Sequence, residues 1–152
     1  LRELQRELGD ESALFNQIIL AAPDIDAEIF CRDLAPALTS SSNRVTLYAS
    51  SNDQALVASR QVHGYARAGD SGAGLVVIPG IETIDVSMLD TSLLGHSYYG
   101  SSNPILLDIR QLIEFALPAA QRHWLLPKAH GELTYWMFER IGPHAAGAAD
   151  EL

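Results

Sequence analysis

The chain has 152 residues, of which 47% are hydrophobic and 19% are charged, a composition typical of one globular domain with a buried core. Its formal net charge of −9, from 19 acidic and 10 basic residues, argues against binding to nucleic acids or to anionic membranes. No apolar run approaches the ~18 residues that a membrane span needs, and no signal peptide is visible. Cys31 is the single cysteine, which excludes an internal disulfide and favours a reducing, cytoplasmic location.

The first residues have the pattern of a helix. In the opening segment LRELQREL, Leu1, Leu4 and Leu8 recur at helical spacing with charged residues between them. No capping residue precedes this pattern, and a helix without a start signal is typical of a sequence cut from a longer one. We therefore expect further sequence upstream of Leu1. The alternatives are a trimmed tag and an unstructured start.

Apolar runs and helical patterns then alternate along the chain. Strands are predicted at residues 15–22, 44–50 and 75–80, with IETIDVS as an extension of the third after Pro79. Helices are predicted from about Ala27, with a cap at Asp26 and a break or restart at Pro36, from Gln54 to Gly64, and from Asn103-Pro104 to Pro118.

Strands that alternate with helices predict an α/β fold with a mostly parallel, three-stranded sheet flanked by helices. We assign residues 1–117 to this α/β portion, and residues 118–152 to an extension with an apolar segment, LTYWMFERI, and a frayed tail. The first strand is expected to be an edge, which invites pairing with a second chain, with the C-terminal segment or with upstream strands. A homo-oligomer through this edge or through the C-terminal segment is therefore a candidate assembly.

The segment LLGHSYYG, residues 93–100, begins like the G-x-S-x-G elbow that carries the nucleophile of serine hydrolases. Tyr99 stands where the motif has its second glycine. The residues before Ser97 form a poor strand and no helix follows at once, so Ser97 is not expected to be a nucleophile. His96 is the better candidate for a catalytic role, as a general base, against the alternative of a histidine that hydrogen-bonds within a loop.

Polar residues follow the predicted strands, at the position where ligands bind in open α/β sheets. An acid after one strand and His96 after the next match the last two members of the Ser…Asp/Glu…His order of α/β hydrolases. Asp53 and Asp24 are both candidates for the acid. Asp53 can equally cap the helix that begins at Gln54, and Asp26 is interpreted as a helix cap.

Taken together, LAAPDID, VTLYASSNDQAL and SLLGHSYY resemble the C-terminal half of a bacterial α/β-hydrolase family in the esterase/lipase superfamily, often labelled as of unknown function. The resemblance covers roughly residues 15–117. It implies a carboxylesterase- or lipase-like serine hydrolase in which Asp53 is the triad acid and His96 the base. Asp24 is second choice for the acid, because some members of the superfold carry it one strand earlier. The resemblance also implies a G-H-S-x-G elbow upstream of Leu1, without which this chain alone is expected to be inactive.

No metal or organic cofactor is expected. Possible metal-ligand types are present, but none shows a recognisable spacing such as H-E-x-x-H, and no G-x-x-x-x-G-K nucleotide motif occurs. The expected partner is a small ester-like substrate. A hypothesis of a different class is a catalytically inactive, truncated α/β module that acts as a binding or assembly partner.

Overall fold

The computed structural model of the chain describes residues 13–51, 64–72, 74–89 and 104–139. The strands within these ranges are β1 (Ile18–Ala21), β2 (Val45–Ala49), β3 (Ile81–Asp85), β4 (Leu125–His130) and β5 (Leu133–Phe138). They form one sheet in the order β1-β2-β3-β5-β4. Neighbouring strands are parallel except for β4, which is antiparallel to β5. The predicted α/β fold with a mostly parallel sheet is confirmed, and its predicted three strands are corrected to five.

Helical segments follow β1 and β3 along the chain. They are α1 (Ala27–Ile29), a π-helical stretch (Phe30–Leu34), α2 (Ala35–Ser41), α3 (Pro104–Phe115) and a 3-10 turn (Ala119–Gln121). Helix α3 begins at the predicted Pro104 and ends before Pro118. The LRELQREL segment and the predicted helix after Asp53 lie outside the described residues. Within the ranges given above, no helix has the length and apolarity needed to cross a membrane.

The helical region after β1 begins at its predicted cap and continues past Pro36. The Oδ1 atom of Asp26 accepts the backbone N–H of Ile29 at 3.0 Å, which confirms Asp26 as the N-cap. Pro36 has no N–H to donate to the preceding turn. The chain accommodates it with the π-helical stretch, in which the N–H of Ala35 donates to the carbonyl of Phe30, and the helix restarts as α2.

Both faces of the sheet carry a hydrophobic cluster, because successive side chains of a strand point to opposite faces. On one face, Leu47 of β2 packs with Phe30 of the helical region. On the other face, Tyr48 and Ile84 pack with Ile105 of α3. Since both faces are covered, the ends of the strands are where polar side chains can gather without being buried in the core.

The third strand lies further along the chain than the sequence pattern predicted. Residues 75–80 were predicted as the strand, but they precede β3, and Val76 among them packs into the first cluster. Pro79 and Gly80 form a turn, with Gly80 at a φ of +83°, and the chain then enters β3. The prediction was wrong here because an apolar run that packs on the core without pairing resembles a buried strand.

The C-terminal segment adds a β-hairpin to the same sheet. Strands β4 and β5 are joined by Gly131 and Glu132, and Gly131 has a φ of +60°. Glycine at the first position of a two-residue connection matches a type II′ turn. Pro127 lies in β4, which is an edge strand, where a missing N–H is tolerated. The division of the chain at residue 117 stays a prediction, although the hairpin beyond it shares the sheet.

Strands β1 and β4 are the two edges of the described sheet. The predicted edge position of the first strand is therefore confirmed for this part of the chain. The C-terminal apolar segment does not cover that edge, because β5 pairs with β3 on the opposite side of the sheet.

Candidate functional site

The carboxyl ends of β1, β2 and β3 meet at one edge of the sheet, because the three parallel strands pair in register up to their last residues. In open α/β sheets, ligands bind at this edge. Asp53 follows β2 in the sequence, and His96 follows β3. Both lie outside the described residues, as does Ser97, so their roles stay predictions. The described residues show the strand ends after which the segments with Asp53 and His96 begin.

A segment formed by residues 66–72, here called the crossing segment, joins the ends of β1 and β2. The N–H of Ala68 donates to the carbonyl of Ile25 at 2.8 Å, and the N–H of Gly69 donates to that of Pro23 at 3.0 Å. The carbonyl of Gly69 in turn accepts the N–H of Ser50, just beyond β2, at 2.8 Å. These backbone bonds fix the chain on both sides of the edge.

Gly69 is required by the closeness of this crossing. A Cβ atom at this position would lie 2.4 Å from the carbonyl carbon of Ala22 and 2.6 Å from the nitrogen of Pro23. Both neighbours are backbone atoms that cannot rotate away. Only glycine therefore allows the crossing segment to lie directly against the end of β1.

Asp24, the second candidate for the acid, forms an ion pair with the crossing segment. Its Oδ1 atom lies 3.0 Å from Nε of Arg67, whose side chain is 10% exposed against 55% for Asp24. The carboxylate of Asp24 therefore has a cationic partner at the end of β1. Whether Asp24 also serves as a catalytic acid stays a prediction.

Three serines and one aspartate form a cluster beyond the ends of β2 and β3, here called the serine cluster: Ser51, Ser71, Ser87 and Asp85. The hydroxyl of Ser87 lies 2.6 Å from Oδ1 of Asp85 and accepts the backbone N–H of Ser51 at 2.8 Å. The same Asp85 oxygen accepts the backbone N–H of Ser87 at 2.9 Å. The hydroxyl of Ser71, from the crossing segment, contacts the hydroxyl of Ser87.

Asp70 stabilises a turn within the crossing segment. It is 7% exposed, and its Oδ1 atom accepts the backbone N–H of Gly72 at 2.9 Å. An aspartate that bonds the N–H two residues further on stabilises a tight turn. The turn sets the path of the crossing segment next to Ser71.

A second polar group lies inside the molecule, between the sheet and α3. This buried network consists of Tyr48, Glu82, Asp108 and Arg122. Oδ2 of Asp108 accepts the hydroxyl of Tyr48 at 2.6 Å and Nη1 of Arg122 at 2.9 Å. Nη2 of Arg122 donates to Oε2 of Glu82 at 3.1 Å. The side chains of Asp108 and Arg122 are both 0% exposed.

Burial governs the electrostatics of this network. Desolvation raises the pKa of Asp108, while the hydrogen bond from Tyr48 and the charge of Arg122 act in the opposite direction. Desolvation, followed by the charge of Asp108, raises the pKa of the Tyr48 hydroxyl. Oδ1 of Asp108 and Nε of Arg122 are buried without a hydrogen-bond partner among the described residues. The network thus joins α3, two strands and the segment after α3, although burying its charged groups is electrostatically unfavourable.

Sequence reasoning did not identify this network, although α3 contains a signal for it. Ile105, Asp108 and Leu112 are the buried residues of α3 and follow each other at helical spacing. An aspartate at a core position of an amphipathic helix needs a partner. The partner, Arg122, comes from a segment with no regular pattern, so the pair was not visible before the fold was known.

An open groove of about 350 Å³ runs along the C-terminal half of α3. Leu107, Phe115 and Trp124 are among its lining residues, and Arg110 and His123 lie beside them. Just beyond this end of α3, the chain contacts Glu82 at the start of β3. At its other side the groove reaches the carboxyl end of β5, where the carbonyl of Trp124 accepts the N–H of Glu139 at 2.7 Å.

Metal ligands are not grouped in the part of the chain that the structure describes. Within it, no three side chains of His, Cys, Asp or Glu lie together in a way that suits a metal ion. Asp24, Asp70 and Asp85 each follow or border a strand end, but they engage separate partners: Arg67, Gly72 and Ser87.

The sheet is mostly parallel and covered on both faces, which defines an α/β protein. Polar side chains gather at the carboxyl ends of three neighbouring strands, and the candidate site lies at that edge. The family described as alpha/beta hydrolase of unknown function (DUF900) matches residues 1–115, and the chain belongs to this family. This confirms the predicted resemblance to an α/β-hydrolase family labelled as of unknown function. No curated protein and no solved structure matches the chain.

Proposed function

We propose that this chain supplies the acid and the base of a serine hydrolase with carboxylesterase- or lipase-like activity. Asp53 is the acid and His96 is the base. The observation that carries the proposal is that β2 and β3 are adjacent, parallel and end at the same edge of the sheet. Asp53 is the first acid after β2 and His96 is the first histidine after β3, which is the acid-then-histidine order of the triad. Membership of an α/β-hydrolase family supports the same reaction class.

In the proposed reaction, His96 takes the proton of a serine hydroxyl as the serine attacks the ester carbonyl. The imidazolium then gives that proton to the departing alkoxide, which leaves an acyl-enzyme. His96 then deprotonates a water that attacks the acyl carbonyl, and the imidazolium returns this proton to the serine oxygen as the acid product leaves. Asp53 holds the imidazole in the tautomer whose free nitrogen faces the serine, and it stabilises the imidazolium.

The proposal assigns the nucleophile to a serine outside these 152 residues. No G-x-S-x-G sequence occurs in the chain, and the segment at Ser97 has Tyr99 in place of the second glycine. The edge that β1 forms in the described part of the sheet is where we propose that further strands pair, from an upstream segment or from a second copy. Three of its four residues are half-buried, whereas β4 at the opposite edge is mostly exposed and contains Pro127.

The ion pair of Asp24 supports Asp53 as the acid. A triad acid has to direct its carboxylate at the histidine, and an arginine on that carboxylate competes for the same oxygens. Oδ1 of Asp24 is bonded to Arg67. We therefore propose that Asp24 holds the crossing segment in place.

The test compares the 152-residue chain with an extended protein, in which an upstream segment with a G-x-S-x-G serine precedes Leu1. Hydrolysis of p-nitrophenyl esters is measured for both. The short chain should show no hydrolysis that depends on His96. In the extended protein, His96→Ala should lower kcat about 10³-fold or more, and Asp53→Asn should lower it less.

His123→Ala is the matched control, because His123 is an exposed histidine at the groove along α3. It should leave hydrolysis unchanged. An extended protein that hydrolyses no ester would favour the hypothesis of an inactive binding or assembly module. Hydrolysis by the short chain that Ser97→Ala abolishes would instead identify Ser97 as the nucleophile.

A further inference from the structure

We propose that Ser87 is a positioning residue for the acid–base pair, because its hydroxyl ties together the strand ends that lead to Asp53 and to His96. The inference rests on the proposed function and deepens it. Ser87 itself contacts neither the ester nor the serine nucleophile in this proposal. It acts through the separation of the two segments that carry the pair.

The hydroxyl of Ser87 extends the pairing of β2 and β3 beyond the last backbone bond. That last bond runs from the N–H of Val86 to the carbonyl of Ala49, at 2.9 Å. The next N–H on the β2 side to face β3, that of Ser51, donates to the side-chain hydroxyl of Ser87 at 2.8 Å. A side chain thus holds the two chains together at the point where the strand ladder has ended.

The orientation of this hydroxyl is set by Asp85. A serine hydroxyl has one proton to donate and two lone pairs to accept with. Its 2.6 Å bond to Oδ1 of Asp85 requires that proton, since a carboxylate only accepts. The contact with Ser71 is then a bond that Ser71 donates. Ser87 therefore connects three segments: the end of β2, the end of β3 and the crossing segment.

The position of this connection gives it a functional consequence. Ser51 lies two residues before Asp53, and Ser87 lies nine residues before His96. Any change in the distance between Ser51 and Ser87 therefore moves the starts of the two segments that lead to Asp53 and to His96. A displacement of about 1 Å in a catalytic group is enough to lower a rate about 10²-fold. A single hydroxyl at this position can therefore influence the reaction without touching the substrate.

The experiment measures how strongly Asp53 and His96 interact in the 152-residue chain. The pKa of His96 is determined by NMR titration of its imidazole with and without Asp53→Asn, and the difference between the two values reports the interaction. The other charged groups described at this edge are Asp24, Arg67, Asp70, Asp85 and, just after β5, Glu139. They are present in every variant, so their effects cancel in the difference.

Ser87→Ala should reduce this Asp53-dependent difference by half or more. It should also raise the hydrogen-exchange rate of the Ser51 amide about 5-fold or more, as expected for the loss of one hydrogen bond. Ser87→Thr keeps the hydroxyl and should preserve both values. If Ser87→Ala does not fold, Ser87→Cys serves instead, since a thiol keeps the size of the side chain but bonds weakly.

Ser42→Ala is the matched control. Ser42 is a buried serine whose hydroxyl bonds to the carbonyl of Leu38, beyond α2 and at the amino end of the sheet. It should change neither the pKa difference nor the exchange rate of the Ser51 amide.

The outcomes separate this inference from the function on which it rests. A pKa difference that Ser87→Ala or Ser87→Cys reduces, and that Ser87→Thr and Ser42→Ala preserve, supports the positioning role. A clear difference that no Ser87 variant alters overturns that role and leaves the proposed acid–base pair standing. The absence of any Asp53-dependent difference in the unmodified chain overturns the pair itself, and the positioning role with it.

Discussion

The buried network and the serine cluster are both polar groups built on β2 and β3, yet their surroundings differ. Asp108 and Arg122 of the network are sealed between the sheet and α3. Ser51 and Ser87 of the cluster lie beyond the strands, where Ser51 is exposed and Ser87 half-buried. Charges that are sealed in the core are costly to separate or to titrate. Hydroxyls at the strand ends can respond to a ligand. The difference in burial therefore indicates that the buried network stabilises the fold, whereas the serine cluster supports the candidate site.

This comparison predicts the largest loss of stability for the network. Arg122→Met leaves the carboxylate of Asp108 buried without its cation, and breaking a buried pair in this way costs about 3–5 kcal/mol. The free energy of unfolding, measured by urea denaturation of the 152-residue chain, should fall by that amount. Arg110→Met removes an exposed arginine that pairs with Glu114 within α3, and it should cost less than about 1 kcal/mol.

A double variant sharpens this prediction. Adding Asp108→Leu to Arg122→Met removes both buried charges, and apolar replacements of buried pairs are often neutral or stabilising. The double variant should therefore regain much of the stability that Arg122→Met loses. If Arg122→Met lowers the free energy of unfolding no more than Arg110→Met does, the network does not stabilise the fold as its burial indicates.

The pH dependence of stability provides a smaller effect with a definite sign. Burial raises the pKa of Asp108 in the folded chain above its ordinary value of 3.8, against the opposing influence of Tyr48 and Arg122. The folded state then binds more protons than the unfolded state between the two pKa values. The contribution of Asp108 to stability is therefore full below pH 3.8 and is lost as the pH rises through the folded-state pKa.

Asp108→Asn should remove this decline with pH. The free energy of unfolding is measured by urea denaturation at a series of pH values, and the slopes of the two chains are compared. Arg110→Met should keep the slope of the unmodified chain, because it leaves the groups that face Asp108 in place: Tyr48, Glu82 and Arg122. Parallel curves for the unmodified chain and Asp108→Asn would contradict the raised pKa.

The elements near the carboxyl edge were largely predictable from the sequence because their signals are local. β1, β2 and the start of α3 follow from apolar runs and from a proline at the first helical position. The cap at Asp26 depends on a bond to an N–H three residues away. The candidate acids and base followed from their order after strands, which needs no knowledge of contacts.

The features that the sequence did not predict depend on contacts between residues that are distant in the chain. Strand β3 was misplaced because Val76 and Ile84 are equally apolar, and only pairing with β2 tells them apart. The hairpin was missed although Gly131 marks its turn, since Pro127 within β4 argues against a strand until β4 is known to be an edge. The serine cluster joins residues from three separate segments, and no spacing in the sequence announces it.

The smallest effect is expected for Asp24, and it tests the choice of acid. The Asp24–Arg67 pair is half-exposed on the side of Asp24, so Asp24→Asn should cost only about 0–1 kcal/mol in the free energy of unfolding. In the extended protein that carries the serine, Asp24→Asn should change kcat/KM less than about 3-fold, because a carboxylate held by Arg67 does not orient His96. Asp53→Asn, measured beside it, should lower kcat/KM far more, since in the proposed triad it removes the group that fixes the imidazole tautomer. The reverse ranking, with Asp24→Asn the more harmful change, would move the acid one strand earlier and leave Asp53 as the cap of the helix predicted after it. Because both variants replace a carboxylate with an amide of the same shape, the ranking reports the charge that His96 requires.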